Sequence, residues 1–139
     1  MQAISSISKD ARVAHLATLD PAGQPHIVPI CFVYCREAFY TAVDQKPKRV
    51  PGQKLARLRN IRHSPEVALL IDYYDEDWSK LWYVLLRGRA KLLPKSAARE
   101  RAEAIRALRA KYPQYRAGML SDDAPIIRIT VERISSWHT

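Results

Sequence analysis

With 139 residues, 47% of them apolar, the chain is long enough for one hydrophobic core and short for two. It holds no run of about 18 apolar residues, and residues 1–9, with Ser5, Ser6 and Ser8, lack the charged start and apolar centre of a signal peptide, so a soluble cytoplasmic protein with no membrane partner is expected. The net charge of +9, from 23 basic and 14 acidic residues, suits a polyanionic partner, either nucleic acid or a phosphorylated small molecule.

Residues 12–19 (RVAHLATL) and 26–34 (HIVPICFVY) are β-rich runs. The segment between them, Asp20-Pro21-Ala22-Gly23-Gln24-Pro25, supplies turn dihedrals, so the pair predicts a hairpin. Pro29 has no N–H for a ladder, which puts the second strand at an edge, or bulged there, with backbone left to face a ligand or solvent. Cys31 and Cys35 fall four residues apart in that same run, about 13 Å between α-carbons and beyond disulfide reach. Neither His15 nor His26 completes a metal pattern with them, so reduced core thiols and no metal are expected.

Residues 39–43 (FYTAV) give a third strand, and residues 54–62 a short helix with Leu55, Leu58 and Ile61 on one side. Ser64-Pro65 ends that helix, because the residue before proline is pushed out of the helical region. Two long apolar runs, 66–74 (EVALLIDYY) and 81–93 (LWYVLLRGRAKLL), read as central strands joined by the acidic turn Asp75-Glu76-Asp77. Over residues 95–115 the apolar positions Ala98, Ala102, Ile105, Leu108, Tyr112 and Tyr115 recur at three and four, a helix that packs one face on the sheet. Residues 126–134 (IIRITVERI) alternate apolar and polar, a sixth strand with one wet face. The expected fold is therefore mainly β with minor α: six antiparallel strands closing a small barrel, with a short helix after strand three and a longer one before the last strand.

Charge is unevenly spread. Between Gln45 and Pro65 stand seven cations (Lys46, Lys48, Arg49, Lys54, Arg57, Arg59, Arg62) and no acid, whereas the second basic stretch, residues 95–116, contains Glu100 and Glu103. A loop-plus-helix with that many like charges repels itself unless an anion is present, which favours phosphate binding by the cluster even though any one cation could be plain surface. Lys54 and Arg62 are the members that fit a surface role best. No Ser-His-Asp or Cys-His set and no paired glycosidase carboxylates can be located, and four glycines leave no room for a Rossmann or Walker phosphate loop. His15 and His26 lie within strand patterns without a carboxylate at a helpful spacing and read as structural.

The segments ARVAHLATLDPAGQPHIVPICF, FYTAVDQKPKR and LRNIRHSPEVALLIDYYDEDWSKLWYVLLRGRAKLL resemble the pyridoxamine 5′-phosphate oxidase-like split β-barrel family, and more narrowly its branch of deazaflavin (coenzyme F-420)-dependent oxidoreductases. The resemblance runs from about Ala11 to Leu93 and more loosely through the last strand. It implies a homodimer with cofactor clefts between the barrels and the cofactor phosphate held by basic residues. Arg57 falls where the family has a phosphate-binding Lys, a planar fork in place of a point charge, with Lys46, Lys48 and Arg49 in the loop before it. The ring system would lie along the second strand, near Val28, Pro29 and Ile30. Trp78 and Trp82 match a tryptophan-bearing segment that reaches toward the dimer interface, where they could touch the ring or bury against protein. F-420 is the implied cofactor and FMN the alternative, with a hydride passing to or from a small-molecule substrate. Two other classes compete: a non-catalytic flavin, F-420 or haem storage protein on the same barrel, and, remotely, a nucleic-acid-binding barrel, disfavoured because Trp78, Trp82 and Tyr83 are not interleaved with the cations.

Overall fold

The computed structural model describes residues 2–46 and 55–139. Helix α1 (Gln2–Asp10) precedes β1 (Ala14–Leu19), β2 (Pro25–Ile30), β3 (Val33–Cys35) and β4 (Ala38–Ala42). Then come α2 (Ala56–His63), β5 (Glu66–Tyr73), β6 (Trp82–Leu92), α3 (Ala98–Lys111) and β7 (Ile126–His138). The strands form one antiparallel sheet in the order β2-β1-β5-β6-β7-β4-β3, curled into a split barrel. As the long apolar runs suggest, β5 and β6 are central, and β2, which carries Pro29, is an edge strand.

The expectation of six strands closing a barrel needs correction. The 26–34 run is two strands, broken at Cys31-Phe32, and its halves lie at opposite margins of the sheet: β2 on β1, β3 on β4. The margins are therefore linked by two residues rather than by a ladder. Tyr112 holds the break. Its hydroxyl accepts from the Phe32 N–H at 3.0 Å and lies 3.1 Å from the Phe32 carbonyl and 2.9 Å from that of Arg12, one of which it can serve with its single proton. Thr41 adds a hydrogen bond to the Cys31 carbonyl at 2.7 Å. Cys31 and Cys35, half-buried free thiols, thus flank a corner rather than share a strand.

Two helices also depart from expectation. Helix α1, which periodicity did not suggest, packs Ile4 and Ile7 against the barrel core. In α3 the stripe is shifted: Ala98 and Ala102 are exposed, while Arg101, Ala104, Ile105 and Leu108 are buried, with Tyr112 and Tyr115 buried beyond the helix end. Arg101 is tolerated inside because its guanidinium donates to the carbonyls of Asp122 (3.2 Å) and Ala124 (3.0 Å). The last strand runs past residue 134 to His138, and β6 follows it throughout apart from a bulge at Arg87/Gly88. A Cβ on Gly88 would sit 1.9 Å from the Thr130 carbonyl oxygen, so the close approach of the two backbones there requires glycine. One core fills the barrel around Leu16, Leu69 and Leu86; a second lies between the sheet and α3 around Tyr40, Leu108 and Ile126.

Candidate functional site

Helix α2 is short and anchored from below. Leu58 and Ile61 enter the barrel core, and Asn60, fully buried, donates through Nδ2 to Thr18 Oγ1 of β1 at 2.9 Å. The helix stops as Ser64-Pro65 predicts: the Ser64 N–H donates to the Asn60 carbonyl at 2.7 Å, and the Pro65 carbonyl accepts the Ala90 N–H of β6 at 2.8 Å. This fixes the direction of Arg57, one residue before Leu58.

Arg57 is half-buried, and its Nε is buried with no hydrogen-bond partner among the described residues. Burial pushes its pKa below the usual arginine value, opposed by the charge of Asp44. Asp44 therefore belongs to the same cluster, although in sequence it stands just outside the acid-free stretch. Its carboxylate is buried and accepts from the Tyr115 hydroxyl at 2.5 Å, from the Lys46 ammonium, and from the Lys46 N–H at 3.1 Å. Burial alone would raise the Asp44 pKa; the bonds from Lys46 and Tyr115 outweigh it, and the net shift is downward. Desolvation, with the Asp44 hydrogen bond, pushes the Tyr115 phenol far up, so this tyrosine stays a neutral donor. Backbone bonds from Val43 to Pro125 and from Gln45 to Met119, each 2.9 Å, tie the exit of β4 to the turn that carries Tyr115, where Gly118 takes a φ of 102°.

The structure thus brings together two of the expected basic residues, Arg57 and Lys46, around an acid and a tyrosine that sequence reasoning missed. Lys48 and Arg49 lie outside the described residues. On β2 the candidates alternate: Val28 packs against the barrel core, Pro29 is exposed opposite His15, and Ile30 is buried opposite Ala14. Trp78 is exposed, its indole N–H 3.4 Å from Tyr74 Oη, and Trp82 is half-buried, stacked on Tyr73 with centroids 6.3 Å apart. These tryptophans stand at the start of β6, whereas α2 is tied to Ala90 near its end. Eight residues of strand separate Trp82 from Ala90, roughly 26 Å, which places the tryptophans at the opposite end of β6 from the foot of α2.

A curled seven-stranded antiparallel sheet, with an arginine-bearing helix docked across its central strands, defines a small split barrel. The chain belongs to the pyridoxamine 5′-phosphate oxidase family, whose sequence model matches residues 1–138. Similar solved structures include a conserved hypothetical protein of Mycobacterium tuberculosis (20% identity, TM-score 0.79, covering 99% of this chain and 83% of that one). Another is HutZ, the haem storage protein of Vibrio cholerae (13%, 0.74, 99% and 92%). A third is an FAD-binding protein of Mesorhizobium loti (23%, 0.70, 97% and 91%). At these identities the likeness is one of fold. No curated protein sequence matches the chain.

Proposed function

We propose that this protein is an oxidoreductase that binds a phosphate-bearing redox cofactor, deazaflavin F-420 or FMN, at a homodimer interface. The observation that carries the reading is Arg57, a guanidinium that has given up much of its water and leaves a buried Nε unpartnered among the described residues. A buried unsatisfied donor costs about 1–3 kcal/mol, and an anion that accepts from it removes the cost. The residues present fit a phosphate: Arg57 as a planar fork near Asp44, and Lys46 held on that same carboxylate, which Tyr115 also supports. Lys48 and Arg49, by resemblance, are further candidates for the anionic end of the cofactor, and a polyglutamyl tail of F-420 suits a cationic groove. When bound, such a cofactor supplies hydride transfer to or from a small organic substrate. The chain's own part is to anchor, orient and exclude water.

The homodimer is supported by the outward face of the sheet. By register, Ile27, Ala17 and Ala68 form one row across β2, β1 and β5, and Pro29, His15, Leu70 and Leu85 another reaching β6. Ile27 is 64% exposed, a cost that burial against a second copy would remove. A second copy would also bring Trp78, the exposed one of the two tryptophans, toward a cradle that lies at the opposite end of β6 in its own chain.

Haem storage on the same barrel is the second reading. It is favoured by half-buried His15, whose Nδ1 has no hydrogen-bond partner among the described residues, since an imidazole is one of the side chains that hold haem iron. Separate titrations with F-420, FMN and haem, followed by cofactor fluorescence or the Soret band, distinguish the two. Tight F-420 or FMN binding that weakens in Arg57→Ala, together with turnover against candidate reductants and acceptors, supports the oxidoreductase. Haem binding alone supports storage, and binding of none of the three sinks both.

A further inference from the structure

A groove of about 460 Å³ lies between α1 and the β6–β7 ribbon, at the end of β6 remote from Arg57. Its roof is Ile4 and Ile7; its floor is Trp82, Val84 and Ile134. Register places these three floor residues on the inward-facing side of the ribbon, since Leu86, opposite Ile134, is a core residue and Trp82 and Val84 alternate with it. Tyr83 and Trp137, directly paired across the strands and stacked with centroids 6.1 Å apart, alternate with these residues and turn their rings to the other side of the ribbon, leaving Trp82 as the aromatic ring of the floor. Ser136 and His138 bring the polar atoms.

Two features fix the kind of molecule this groove takes. First, not one Lys, Arg, Asp or Glu among the described residues lines it, in a chain that is 27% charged with a net +9. Two other grooves, of about 500 and 450 Å³, show the contrast: the first gathers Lys95, Arg101, Arg106 and Arg109, and the second Lys9, Arg12 and Lys111. An ion moved from water into walls without counter-charge loses its hydration for nothing in return, so a neutral guest is selected. Second, the apolar walls are open to water, with Ile134 37% exposed and Trp82 half-buried, and a guest that covers them recovers burial energy. The Trp82 indole on this side of the ribbon favours flat rings, and the volume suits a compound of a few fused or linked rings.

We infer that the groove between α1 and the β6–β7 ribbon is a binding site for a flat, uncharged aromatic compound, with Ser136 and His138 as its polar handles. That this compound is the redox substrate rests on the reading above; that it binds does not.

The test uses neutral N-phenyl-1-naphthylamine, titrated into the purified full chain and followed by its own fluorescence and by energy transfer from tryptophan. One saturable site per chain is expected. Ile134→Glu, which puts a carboxylate at an already exposed position, should weaken binding at least tenfold. Ser136→Trp, which fills the groove from a second exposed position, should do the same, so the misfolding of either variant alone leaves the other to decide. Arg57→Ala should leave the probe's affinity unchanged, which separates this site from the cofactor cradle. Bound probe should be displaced by 2-naphthol at least tenfold better than by 2-naphthoate. No saturable binding, or binding as tight in both variants as in the parent chain, overturns the site. Equal displacement by the neutral and the anionic naphthalene overturns the class of ligand.

Discussion

At its Ala90 end, strand β6 runs beneath a helix that carries Arg57 toward a buried carboxylate. At its Trp82 end, the same strand opens into a groove with no charged wall. The first region is made of groups that are costly to bury and are held there by one another: the Asp44 carboxylate by Lys46 and Tyr115, Asn60 by Thr18, with one guanidinium donor left over. The second is made of groups that are costly to leave in water. One strand thus runs from a polar cluster with a buried guanidinium donor to an apolar groove, and the contrast assigns different ligand chemistry to each.

The change expected to destroy the comparison altogether lies between the ends. Gly88→Ala drives a Cβ into the Thr130 carbonyl, backbone against backbone, at the bulge that lets β7 follow β6. Since neither strand can move without breaking the ladder, a loss of about 3 kcal/mol or more is expected, read as a fall in the urea midpoint. Both ligand sites should disappear together, and survival of either would show that the two ends fold independently of the bulge. Next in size, Arg57→Ala should lower F-420 or FMN affinity roughly 10- to 100-fold, the worth of about 1.5–3 kcal/mol for hydrogen bonds to a charged group. Chain stability should be unchanged or slightly raised, because a poorly solvated cation is gone. An Arg57→Ala protein that binds the cofactor as tightly as its parent would leave residues 47–54 as the phosphate anchor. Thr18→Val strands the buried Asn60 amide and should cost about 1–3 kcal/mol, loosening α2 and weakening cofactor binding while sparing the groove.

Much of the polar end could be read in the sequence, because its signals are local. The basic stretch, the Ser64-Pro65 stop and the Leu58 and Ile61 anchors all lie within one short segment. What was illegible there came from far along the chain. Asp44 looks like the acid that ends a strand until Tyr115, 71 residues away, is seen to hold it. The corner at Cys31-Phe32 likewise depends on Tyr112, 80 residues away, and without it HIVPICFVY reads as one strand. The apolar groove was invisible for a second reason. Its roof is a nine-residue helix, QAISSISKD, whose serines hide the Ile4 and Ile7 spacing, and a groove exists only once that helix meets the extension of β7. Resemblance makes Trp82 a candidate for ring contact or interface burial, but its place at the far end of β6 follows from register alone.

Acid offers a way to weaken one end and spare the other. Because the folded-state pKa of Asp44 lies below its ordinary value, the unfolded chain takes up more protons as the pH falls through the carboxylate range. The contribution of Asp44 is therefore fully present above about pH 4 and is lost as the pH drops toward and through the depressed folded value. Urea midpoints measured from pH 6 down to pH 2.5 should fall more steeply for the parent chain than for Asp44→Asn, with the two curves converging at the acid end. Parallel curves would mean that the carboxylate gains nothing from Lys46 and Tyr115. Probe binding in the apolar groove, which has no carboxylate in its walls, should follow overall folding and show no separate transition near pH 4.

The smallest effect concerns the aromatic pair at the free end of β7. Tyr83 and Trp137 face each other directly across β6 and β7, offset and nearly parallel with 21° between ring planes, beyond the reach of β4, which pairs β7 only through Ile126 to Ile129. Such a cross-strand pair is worth about 0.5–1 kcal/mol beyond its area. A double-mutant cycle with Tyr83→Ala and Trp137→Ala should return a coupling of that size in urea unfolding. The same cycle read on probe affinity should show both single variants binding as the parent does, since the two rings face the other side of the ribbon from Trp82, Val84 and Ile134. If the pair couples in stability and leaves the probe untouched, its role is to pin the free end of β7 rather than to wall the groove. If instead the cycle is null in stability while both variants weaken the probe, the two rings are held open for a ligand and gain little from each other.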